Sequence, residues 1–64
     1  MWTTIYIAVG EENTLRIKNT LIQAGYILKT KFLTSENGKE LYEILVPQFE
    51  AEEVQEFIIE SGIL

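Results

Sequence analysis

Cysteine, histidine and aspartate are absent from this 64-residue chain, and proline occurs once. Without cysteine there is neither a disulfide nor a thiolate zinc site to staple a small core. Without histidine the usual general base near neutral pH is missing, and the thiol nucleophile is excluded with cysteine. Ser35 and Ser61 remain as nucleophiles with no evident base partner, so the chain is expected to be neither an enzyme nor a cofactor carrier. Cations are scarce too: four Lys and one Arg stand against ten Glu, for a net charge of −5. That balance opposes nucleic-acid binding, which rests on Lys and Arg displacing counterions. No apolar run approaches the roughly 20 residues of a spanning helix, and the basic start of a secretory signal is missing. A cytoplasmic location without membrane attachment is the resulting expectation.

What is present is a high apolar content, 47% of residues, which places the chain among folded proteins rather than disordered ones. Residues 1–64 are expected to form one small domain. Such a domain buries only about 60% of the surface its unfolded chain exposes, so association with another chain is the natural source of further stability.

Trp2 to Val9 is rich in β-branched and aromatic residues and reads as a strand, with Trp2, Thr4, Tyr6 and Ala8 on one side and Thr3, Ile5, Ile7 and Val9 on the other. Gly10 ends it. From Glu11 to Ala24, the spacing of Ile17, Leu21 and Ala24, widened by Leu15 and Ile22, predicts a helix resting on a sheet. Asn13 is a candidate cap and Gly25 the left-handed stop. Tyr26 to Leu33 and Glu40 to Val46 read as two further strands, with Tyr26, Leu28, Thr30 and Phe32 of the first and Tyr42, Ile44 and Val46 of the second directed to the core. A two-residue Asn37-Gly38 turn would oppose odd and even positions and mix the two faces. A three-residue loop with Gly38 in the bulge position avoids this, setting Lys31 opposite Glu43 and Leu33 opposite Leu41. After Pro47 a second helix from Glu50 to Glu60 carries Ala51, Val54, Phe57 and Ile58 as its apolar stripe. Ile63 and Leu64 are left as an apolar stub.

The expected architecture is α+β, a β-α-β-β-α two-layer sandwich of ferredoxin-like type lacking the fourth strand, with sheet order 2-3-1. A parallel crossover placing strands one and two side by side is the alternative. In the first order strand one is an exposed edge, a template for pairing.

Met1-Trp2 leading into Ile5-Tyr6-Ile7, the Leu21-Ile22 to Gly25 helix end, the Tyr42 to Pro47 strand and the acidic second helix together resemble the short prokaryotic "signal-transducing" domain family of unknown function. The resemblance covers nearly the whole chain and is carried by structural residues. It implies a ferredoxin-like α+β fold and a binding or regulatory role, and brings no catalytic residue with it.

Two helices can cover only one face of the sheet. The other is expected to carry Trp2, Tyr6, Ile27, Lys29, Lys31, Leu33, Leu41 and Leu45, an apolar field with two cations. A contiguous apolar patch on a soluble protein commonly marks an interface. The expectation is therefore a non-enzymatic interaction or regulatory module that self-associates, or takes a protein partner, through this face or the first-strand edge. Single-stranded nucleic acid stacking on Tyr6 beside Lys29 and Lys31 is the alternative, as is a small-molecule effector. A further alternative is a monomer whose Lys29 and Lys31 stems shield the patch. Glu52, Glu56 and Glu60, four apart on one helix, read as a solvated face rather than a metal site. Glu11 and Glu12 beside Gly10 disfavour a phosphate there.

Overall fold

The computed structural model describes residues 1–63. In chain order it contains β1 (Trp2–Val9), α1 (Glu11–Gln23), β2 (Lys29–Glu36), β3 (Lys39–Pro47), a 3-10 turn (Gln48–Glu50) and α2 (Ala51–Ser61). The strands form one antiparallel sheet in the order β1-β3-β2. This is the α+β, β-α-β-β-α arrangement with sheet order 2-3-1, consistent with a ferredoxin-like fold in which, among the described residues, β1 has no neighbour on its far side.

Both helices pack on one face of β1 and β3. The core there consists of Ala8 from β1, Ile17 and Leu21 from α1, Ile44 and Val46 from β3, and Val54 and Ile58 from α2. These helical positions follow the predicted apolar stripes, whereas Leu15, Ile22 and Ala24 stay exposed on the flank of α1 or beyond its end. β2 is exposed along its whole length, because the helices do not reach it. Phe32 of β2 still meets Tyr42 of β3 edge-on, with ring centroids 5.8 Å apart.

Helix ends differ from expectation in one respect. Gly10, at φ +88°, occupies the N-cap of α1 without a side-chain cap, and Thr14 donates its hydroxyl to the Gly10 carbonyl at 2.8 Å. Asn13, the predicted cap, instead accepts a hydrogen bond from Arg16 at 2.6 Å. At the other end the Gly25 amide bonds to the Ile22 carbonyl and the Tyr26 amide to the Leu21 carbonyl, each at 3.0 Å. With Gly25 at φ +92°, this is the Schellman pattern that closes a helix through a left-handed residue. It commits the Tyr26 amide to α1, which explains why β2 begins at Lys29 rather than at Tyr26. Tyr26 and Leu28 nonetheless pack against the core, from the segment leading into the strand.

The β2-β3 turn also departs from prediction. Asn37 and Gly38 both have positive φ, 53° and 77°, as a two-residue type I′ hairpin turn requires. The register conflict of such a turn is resolved by a bulge: Leu33 is skipped between the Thr34↔Leu41 and Phe32↔Tyr42 pairs. Lys31 lies opposite Glu43 as expected, but Leu33 has no partner and Thr34 takes its place opposite Leu41. Ile63 leaves α2 to pack on the core, and its carbonyl accepts a hydrogen bond from Arg16 at 2.7 Å. Leu64, expected to share that apolar stub, lies outside the described residues.

Candidate functional site

The sheet face turned away from the helices is organised by strand register. Ile44 and Val46 of β3 point to the core, so Leu41, Glu43 and Leu45 alternate onto the open face. Their cross-strand partners form three rows: Val9, Leu41 and Thr34; Ile7, Glu43 and Lys31; and Thr4, Leu45 and Lys29. Trp2, opposite Pro47, extends the face at one end.

No helix covers these rows, yet Leu41, Glu43 and Leu45 are half-buried. Neighbouring side chains provide the cover. The Lys29 ammonium lies 4.2 Å from the centre of the Trp2 ring, a cation–π contact that spans β3 from one edge strand to the other. Thr4 donates its hydroxyl to Glu43 Oε1 at 2.7 Å, satisfying the one carboxylate in the middle of the face. Trp2, Ile7 and Val9 remain 37%, 39% and 46% exposed, so β1 contributes most of the open apolar surface.

Three predicted surface residues are placed otherwise. Ile5 is skipped between the Thr4↔Leu45 and Tyr6↔Ile44 pairs, and this bulge reverses the faces of β1 part-way along. Tyr6 therefore sits on the helix side, packed against the core, whereas Trp2 stays on the open face. Ile27 precedes β2, joins no ladder and is 61% exposed. Leu33 is the unpaired bulge residue of β2. Conversely, Ile7 and Val9, which strict alternation sets on the side opposite Trp2, lie with Trp2 on the open face. Because Ile5, Tyr6 and Ile7 are all apolar, a one-residue shift leaves no trace in the hydropathy pattern.

On the helix side, the β1 bulge places Ile5 and Tyr6 along a groove completed by Gln55, Ile58 and Ile59 of α2, with a volume of about 320 Å³. Among the described residues no three acidic or other ligating side chains converge to hold a metal ion, and no helix is long and apolar enough to cross a membrane. No protein-family model, curated protein or solved structure matches the chain, so the likeness to the signal-transducing domains rests on the residues quoted for it.

Proposed function

We propose that this chain is a non-enzymatic interaction module that pairs with a second copy of itself through the open face of its sheet, in a regulatory role in the cytoplasm. The observation that carries this reading is the stripe of Trp2, Ile7, Val9, Leu41 and Leu45, which no second layer covers. The molecule measures 32 × 25 × 16 Å, and a broad side of that size can supply the roughly 800 Å² per partner of a standard interface. Full burial of an apolar side chain contributes about 1.5–3 kcal/mol, and these are already partly covered, so the gain per protomer is a fraction of the full sum. Set against an association cost of about 4–15 kcal/mol, that supports a dimer nearer micromolar than nanomolar.

Base stacking draws less support from the geometry. Tyr6 faces the helices, Lys29 is engaged with Trp2, and Lys31 stands opposite Glu43.

Leu41→Glu places a charge on the central strand of the stripe, beside Val9, without touching the helix-side core. Sedimentation equilibrium is expected to give a reversible dimer for the wild type and a monomer for the variant, with unchanged circular dichroism. A wild type that stays monomeric up to millimolar concentration overturns the proposal.

A further inference from the structure

The second exposed feature is the free edge of β1. Only its β3 side is paired, so among the described residues the hydrogen-bonding groups along its other side have no strand to meet. Natural edges are usually protected by charge, proline or a covering element. Trp2–Val9 contains no charged residue and no proline. Among the described residues its one protective feature is the bulge at Ile5, and that bulge also turns two successive side chains, Ile5 and Tyr6, into the groove beneath α2. An added strand would present alternate side chains to this groove. Ile59, 74% exposed at its rim, would gain cover from them.

Charge decides what that strand is. All five cations of the chain lie between Arg16 and Lys39, and from Glu40 onward there are seven Glu and no Lys or Arg. The helix flanking the groove carries Glu52 and Glu56 on the flank of Gln55 and Ile59, while Glu53 accepts the Tyr26 hydroxyl. A second copy docked edge to edge would set two such helices side by side, bringing like charges together. A basic strand meets complementary charge instead.

We propose that the β1 edge and the groove beneath α2 form a strand-addition site for an extended segment of another protein whose helix-facing residues, every second one, are an aliphatic side chain flanked two positions away on each side by Lys or Arg. Main-chain hydrogen bonds to the β1 edge hold the segment, an aliphatic side chain enters the groove between Ile5, Tyr6, Ile58 and Ile59, and the cations reach the acidic helix. The site lies apart from the open sheet face and does not depend on self-association through it.

The test uses an end-blocked heptapeptide with lysine at its second and sixth positions, valine at its fourth and threonine elsewhere, a counterpart with glutamate for lysine, and a third with proline at the central valine. Each is titrated into the 15N-labelled wild-type chain at low salt. Binding of the first peptide is expected to shift the amides of residues 2–9 and 55–59. The glutamate and proline versions are expected to bind at least about tenfold more weakly, since one removes charge complementarity and the other a ladder donor. Ile59→Lys, at an exposed position, is expected to weaken the first peptide by about tenfold as well. Equal binding of all three peptides, or shifts centred on Leu41 and Leu45, overturns the site. So does concentration-dependent shifting of β1 amides without peptide in the Leu41→Glu variant, whose open face no longer pairs, since that would assign the edge to a second copy. Sedimentation reads the dimer separately, so failure of either proposal is distinguishable.

Discussion

Tyr26 joins three interactions in one residue. Its amide closes α1 on the Leu21 carbonyl, its ring meets Phe57 edge-on at 5.5 Å, and its hydroxyl donates to Glu53 Oε2 at 2.8 Å. The hydrogen bond to Glu53 holds the phenolic proton most strongly, followed by loss of solvent and the negative charges of Glu53 and Glu50, so the group titrates above its ordinary value of 10.0. Tyr42 is raised as well, chiefly by loss of solvent and then by its hydrogen bond to Glu40. With the folded pKa raised, the unfolded chain releases these protons first. The stabilisation is complete below about pH 10 and declines as pH rises through the folded value. The urea midpoint of the wild type is therefore expected to fall above about pH 10, and that of Tyr26→Phe to fall less steeply, with Tyr42 accounting for the remainder. Identical alkaline slopes for the two proteins would refute the assignment.

The elements show where patterning is informative and where it fails. The strand order followed from which residues pair in the hairpin and from the helical crossover. The helix stripes of Ile17 with Leu21 and Val54 with Ile58 are readable from their spacing of four, although Ile22, Phe57 and Ile59 stand beside them as further apolar residues. Both bulges were hidden. At Ile5 three consecutive apolar residues conceal the shift, and it is this shift that exchanges Tyr6 for Ile7 and Val9 on the open face. At Leu33 the clue was present, since Asn37-Gly38 is the preferred type I′ pair and its register conflict has to be absorbed somewhere. A three-residue loop would absorb it in the turn, whereas the strand absorbs it four residues earlier, at Leu33. The open face as a property of the sheet was thus legible, but its membership along β1 was not. Because Leu33 is the extra residue and is 46% exposed, deleting it leaves every other β2-β3 pair compatible with the two-residue turn. The deletion variant is expected to fold with Phe32 opposite Tyr42 and Thr34 opposite Leu41, and with stability within about 1 kcal/mol of the wild type. Cross-strand nuclear Overhauser contacts and urea unfolding check the pairing and the energy. Loss of folding would show that the bulge shapes the sheet rather than merely accommodating the turn.

Taken whole, the molecule is a two-layer structure with, among the described residues, a core of seven fully or nearly buried apolar side chains and no disulfide. A protomer so small gains little from its own interior, and a partner that binds only the folded form adds stability by mass action. For a two-state dimer, a hundredfold rise in concentration above the dissociation constant adds about 2.7 kcal/mol per dimer, or somewhat over 1 kcal/mol per protomer. In a domain of this length about 1 kcal/mol moves the melting temperature by roughly 4–8 °C. Calorimetry across that concentration range is therefore expected to raise the wild-type midpoint by several degrees and leave Leu41→Glu unmoved. The net charge of −5 acts against close approach of two copies, so added salt is expected to enlarge the wild-type shift by screening that repulsion. A wild-type midpoint independent of concentration at both low and high salt would mean that the Lys29–Trp2 contact and the surrounding stems already suffice to cover Leu41 and Leu45. The open face would then belong to a stable monomer.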